Sequence, residues 1–166
     1  MYTFSEKRPR AVASAREISY DRGKGGDGVI EILEQTPGLV VCIKPVGVRA
    51  QGEAEADLPA LLKRQLGCEI YPVHRLDQAV GGVMVFAKTA PAAAKLSQAI
   101  AGGTLQKEYL AVLERSPERA EGELSDLLFH DRFKNKTYVV SKERKGVKKA
   151  SLSYRVVAEA DGLCLV

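Results

Sequence analysis

Short apolar runs separated by turn residues fill the chain from about residue 29 onward, whereas residues 1–28 are polar. Ile30–Leu33 and Leu39–Ile43 flank the turn tripeptide Thr36-Pro37-Gly38, a pattern that predicts a β-hairpin. Asp57 then stands at the cap of a helix with Pro59 in its first turn. Leu58, Leu61, Leu62 and Leu66 share one face of that helix, and Gly67 ends it. A second helix is expected from about Pro91 to Ile100, with Ala94, Leu96, Ala99 and Ile100 apolar and Gly102-Gly103 as the stop. Both leucine–alanine faces read as core. Ile70–Val73, Val83–Thr89, Leu105–Val112 and Lys148–Val156 read as strands, and the pattern after Leu105 is strand throughout. Many short strands with two helices set between them predict an α+β domain on a mostly antiparallel, bent mixed sheet.

Asp161-Gly162 reads as a turn, and Leu163–Val166 as an apolar strand that stops in mid-pattern. An apolar edge of that kind is a liability in a complete protein. Residues 1–28 are expected to form a flexible arm and residues 29–166 the folded domain. Within the arm, Arg22–Gly28 lacks the terminal Gly-Lys-Ser/Thr order of a phosphate-binding loop and reads as a glycine-rich linker.

A chain of 166 residues suits one domain that folds without disulfide or metal staples. Cys42, Cys68 and Cys164 are odd in number and widely spaced. No zinc-ligand spacing is present, and buried thiols in a reducing compartment follow. The first residues lack the apolar core of a signal peptide, and no uncharged apolar run reaches the roughly eighteen residues that span a bilayer, so a cytoplasmic protein is expected.

The formal net charge of +4 understates a local concentration of charge. Arg132, Lys134, Lys136, Lys142, Arg144, Lys145, Lys148 and Lys149 face the single acid Glu143 across that stretch. Such a segment is either a solvated, charged hairpin or a tracker of phosphates on a polyanion.

Candidate chemistry centres on His74-Arg75-Leu76-Asp77, set between Ile70–Val73 and the small residues Gln78-Ala79-Val80-Gly81-Gly82. Asp77 is there either an active-site carboxylate or a turn residue bonding its own backbone. A hydrolase using Asp77 with His74 is disfavoured, because turn residues so close in sequence rarely bring nucleophile and base into contact and no oxyanion loop is evident.

With Leu105–Val112, this tetrad resembles the RluA family of RNA pseudouridine synthases. Val40–Val48, with its lysine-proline-glycine turn, Val83–Thr89 and Lys148–Val156 extend the resemblance in one collinear register over residues 30–166. The resemblance implies the catalytic-domain fold of that family and isomerisation of uridine to pseudouridine in rRNA or tRNA, without cofactor or metal. It makes Asp77 the catalytic carboxylate, as nucleophile or as base toward a ribose proton, in a site dry enough for its charge to matter. It makes Tyr109 a second catalytic residue, its ring packing on the target base and its hydroxyl serving in proton transfer at carbon 5, and His74, Arg75 and Lys107 substrate-binding residues, Arg75 entering the RNA where the base leaves and His74 orienting the turn. Arg132, Lys134, Lys136, Lys148 and Lys149 are then candidate contacts to the RNA backbone. RNA is the implied partner of a chain acting as a monomer, with no DNA or membrane involved.

Gln78–Gly82 departs from the Arg-Xaa-Thr-Ser-Gly that many relatives carry, so substrate specificity does not transfer. Family members also continue the last strand into a segment that supplies an active-site arginine. The chain therefore reads as C-terminally incomplete, with weak or absent activity of its own, and the alternative is a non-catalytic RNA-binding fragment.

Overall fold

A computed structural model describes residues 29–166, so the arm expected over residues 1–28 lies outside the described residues. These fall into two compact units, 29–107 and Glu108–Val166.

In the first unit, β1 (Ile32–Gln35) and β2 (Leu39–Lys44) form the expected hairpin. The Thr36 hydroxyl accepts from the backbone of Gly38 and Leu39 and so closes its turn. β3 is only Tyr71–Pro72, and β4 is Gly82–Ala87. The strand order is β1-β2-β4-β3, with every pairing antiparallel. β3 is the edge strand, which is where a proline is tolerated. Pairing of Val40 with Phe86 and of Cys42 with Met84 puts four buried side chains on one face. Leu58 and Leu62 of α1 (Leu58–Leu66) complete this core with Ile30 and Ala50. The Gln65 amide bonds both the N–H and the carbonyl of Ile30 and anchors α1 to the start of β1.

Two helical expectations need correction. Asp57 occupies the cap position of α1, but its carboxylate makes no cap bond. Pro59 offers no N–H there. The buried Asp57 side chain instead accepts from Arg49 Nε at 2.7 Å and from the Ala54 N–H at 3.1 Å. α2 (Ala90–Ala101) is capped by Thr89, which accepts from the Ala92 N–H. Its apolar face is not core: no residue of α2 is fully buried, and Ala94 is exposed.

In the second unit, β5 is Val112–Leu113, β6 Glu121–Asp131, β7 Lys136–Val140, β8 Val147–Arg155, β9 Ala158–Ala160 and β10 Leu163–Leu165. They make two antiparallel sheets, β7-β6-β8 and β5-β10-β9. The expected α+β class, with antiparallel strands and two helices, is thus borne out, the described strands being divided among three sheets. The expected strand over Leu105–Val112 is absent: residues 104–111 are irregular, with only Val112 entering β5. Residues from Gln106 to Leu110 are exposed and pair with no strand among the described residues, and alternation alone does not make a ladder.

Asp161 and Gly162 both adopt positive φ, as a tight two-residue hairpin requires, and join β9 to β10. β10 is not the exposed apolar edge its sequence suggests. It is the middle strand of its sheet, and Cys164 is fully buried in it. No helix among the described residues is long and apolar enough to cross a membrane.

Candidate functional site

Alternation along β2 turns Val40, Cys42 and Lys44 to the buried side, so a lysine arrives at the end of the core where the chain leaves the sheet. An ammonium can remain there only if its donors are matched. Lys44 is fully buried, and its Nζ donates to the carbonyls of Pro45 at 2.9 Å, Val48 at 2.6 Å and Gln78 at 3.3 Å. Burial lowers its pKa, and the negative charge of Asp77 acts in the opposite direction.

Those carbonyls belong to two loops, the lysine-proline-glycine turn after β2 and the Asp77 loop before β4. Direct bonds join the same loops. Gly47 N–H donates to the Gln78 carbonyl at 2.8 Å, and the Gln78 side-chain amide donates to the Gly47 carbonyl at 2.9 Å. Gly47 has φ +89°, which a residue with a Cβ rarely adopts. A Cβ on Gly81 would come within 3.0 Å of Val46 Cγ2, so the loops meet where no side chain intervenes.

At the other end of the loop, His74 Nε2 accepts from the Val85 N–H at 3.2 Å. The ring takes a β4 donor next to the point where β3 stops, and it needs the neutral imidazole to do so. Burial first, and the Lys107 charge second, lower its pKa and favour that form. This bond ties the start of the loop to β4.

Held at both ends, the loop presents Asp77. Its main-chain carbonyl accepts from Val80 N–H, but among the described residues its carboxylate accepts no backbone bond. The turn uses Asp77 only through its backbone, so the side chain is free of the capping role. The carboxylate is 78% exposed, with Arg75 Nη2 3.6 Å from Oδ1. Acid and guanidinium are both exposed.

Arg75, His74, Lys107 and Asp77 lie in the first unit and Tyr109 in the second. Lys107 is exposed, and Tyr109, 59% exposed, lies in the irregular segment before β5. Lys44 and Gln78 are the site residues that sequence reasoning missed. The inward register of Val40, Cys42 and Lys44 was the signal available for the first. A backbone carbonyl and a loop amide leave no such signal for the second.

The basic segment comprises the β6–β7 turn, β7, the β7–β8 turn and the start of β8. Register divides its lysines. Lys136 opposite Asp131 and Lys149 opposite Leu127 share one face with Phe129 and Tyr138, whereas Lys148 opposite Leu128 is on the other. Arg132 and Lys134 lie in the β6–β7 turn. The Arg144 guanidinium stacks over the Phe129 ring, 4.4 Å from its centre.

A family model described as RNA pseudouridylate synthase matches residues 38–165. RNA pseudouridine synthase 7 of Oryza sativa subsp. japonica is 37% identical over 91 residues, 52% of this chain and 23% of that protein. tRNA pseudouridine synthase C of Pasteurella multocida is 33% identical over 90 residues, 51% of this chain and 37% of that one. Among solved structures, human RNA Pseudouridylate Synthase Domain Containing 4 superposes with a TM-score of 0.66 at 25% identity, covering 81% of this chain and 56% of the human one. The chain thus spans well under half the length of those curated relatives.

Proposed function

Because the chain belongs to the RNA pseudouridylate synthase family, we propose that it isomerises uridine to pseudouridine in RNA, with Asp77 as the catalytic group. One observation carries this reading. A carboxylate that the turn does not consume projects into solvent from a loop fixed by a buried lysine and a neutral histidine.

The reaction breaks the bond between ribose carbon 1′ and uracil nitrogen 1 and makes one between carbon 1′ and uracil carbon 5. Carbon 5 gives up a proton and nitrogen 1 gains one, so composition is unchanged. Asp77 acts as nucleophile toward ribose or base, or removes a ribose proton. Since its own loop leaves it in water, the RNA itself is needed to enclose it: a base swung out of its stack covers the carboxylate and excludes solvent. Arg75, beside Asp77, binds phosphate or stacks in the gap the base leaves. Tyr109 packs its ring on the target base, and Lys107 contacts substrate. His74 acts on substrate only through the loop it holds.

The relative from Pasteurella multocida is named for tRNA, the substrate proposed here is rRNA or tRNA, and the long basic hairpin suits a phosphate backbone of either kind. Free thiols at Cys42, Cys68 and Cys164 suit a reducing cytoplasm, and the chain is taken to act as a monomer.

Tritium release from RNA labelled at uracil carbon 5 tests the proposal, because that hydrogen must leave. Release with the native chain and none with Asp77→Asn supports it. Equal release from both overturns the role of Asp77, and RNA binding without any release marks the chain as a non-catalytic RNA-binding fragment.

A further inference from the structure

The β6–β7 turn exposes Phe133 completely, at 104% of its reference area. Single exposed apolar side chains are common on protein surfaces. This one is distinguished by how it is held. The Asp131 carboxylate accepts from the backbone N–H of Phe133 at 3.0 Å and of Lys134 at 3.1 Å, and Asn135 takes φ +47° to return the chain into β7. Just below the turn, His130 Nδ1 and Thr137 Oγ1 lie 3.2 Å apart across the two strands. The tip is therefore a bonded turn at the end of a paired hairpin, and the residue at its apex is aromatic.

Its neighbours are Arg132 and Lys134, and Lys136 opens the next strand. A protein surface or a lipid layer would be met by an apolar patch, whereas here a single ring stands between cations. That combination matches a nucleobase joined to phosphates on either side: the ring offers a stacking face and the cations meet the backbone. A fully paired helix hides its base faces, so the matching element is an unpaired base.

We propose that Phe133 is a stacking contact for an unpaired nucleobase of the RNA substrate, remote in sequence from the Asp77 loop, with Arg132 and Lys134 on the flanking phosphates. The inference rests on the RNA reading above and adds a second base contact to it.

The chain has no tryptophan, so Phe133→Trp creates a single fluorescent reporter at the tip. Two probes suffice: a stem-loop oligoribonucleotide and a blunt duplex of the same stem. The expected result is quenching of the Phe133→Trp emission by the stem-loop beyond any caused by the duplex. Phe133→Ala and Phe133→Leu should each weaken stem-loop binding about tenfold while leaving duplex binding unchanged. Leucine separates stacking from simple apolar contact, and restored affinity in it overturns the proposal. So does native-level stem-loop binding by Phe133→Ala, which leaves the RNA reading standing. An emission shift of Phe133→Trp with protein concentration alone assigns the tip to a second copy and also overturns it. If the native chain binds neither probe, the RNA reading falls and takes this contact with it.

Discussion

The Lys44 ammonium donates to the carbonyl of Gln78, the residue after Asp77, at 3.3 Å, so one buried cation fastens the acid-bearing loop to the end of β2. Its other two bonds hold the neighbouring turn at Pro45 and Val48. Lys44→Met keeps the length of the side chain and removes the donor: the Val48 carbonyl loses its bond to the ammonium, the Gln78 carbonyl keeps only the Gly47 N–H, and the Pro45 carbonyl keeps only the long bond from Val48 N–H. A loss of about 2–4 kcal/mol is expected in urea unfolding. An unchanged midpoint would show that these carbonyls find other donors.

Acid should loosen the same loop from its other end. His74 accepts from Val85 as a neutral ring and its pKa is lowered in the folded state, so the unfolded chain binds the extra proton first. Stability from this group is fully present above about pH 6.5, the ordinary histidine value, and is lost as pH falls through the lower folded value. Urea midpoints measured downward from pH 7 should therefore fall in the native chain. A His74→Gln variant should fall less, and parallel curves would rule the mechanism out.

Gly81 is exposed, yet substitution there should be costly. A Cβ would meet Val46 Cγ2 at 3.0 Å and the Lys44 carbonyl at 3.4 Å. Gly81→Ala must push two loops apart, and a destabilisation of about 1–3 kcal/mol is expected. A thermal midpoint equal to the native one would show that the turn yields freely.

Sheet register makes a prediction about salt. Lys136 and Lys149 share a face with two aromatic rings, and Lys148 faces away. Lys136→Ala and Lys149→Ala should each reduce the dependence of log affinity for RNA on log salt by about one, and the effects should add. Lys148→Ala should change that slope less. An equal effect at all three positions would mean that both faces contact RNA.

What the sequence revealed follows the range of the interactions involved. The β1–β2 hairpin and both helix ends were legible because turn and stop residues lie beside the elements they bound. That the face of α2 is only half-buried was not, since composition alone cannot say how fully a face is covered. Asp77 stood out through its tetrad and its neighbours. That it is exposed, and that its loop rests on Lys44, depended on contacts between segments more than thirty residues apart, the Lys44–Gln78 bond among them. Lys136, Lys148 and Lys149 were visible as charge, but their division between faces required a register with β6.

β10 lies between β5 and β9, and Ala111 and Val166 exchange two backbone bonds of 2.9 Å across its end. On the ribosome, β5 emerges first and must wait, unpaired, for a strand some fifty residues later in synthesis. Until that strand arrives, the nascent chain bears an open ladder and an uncovered Cys164 partner site at Leu113. The interval in which this half of the molecule is vulnerable to misassembly or proteolysis is therefore set by translation speed over residues 114–165.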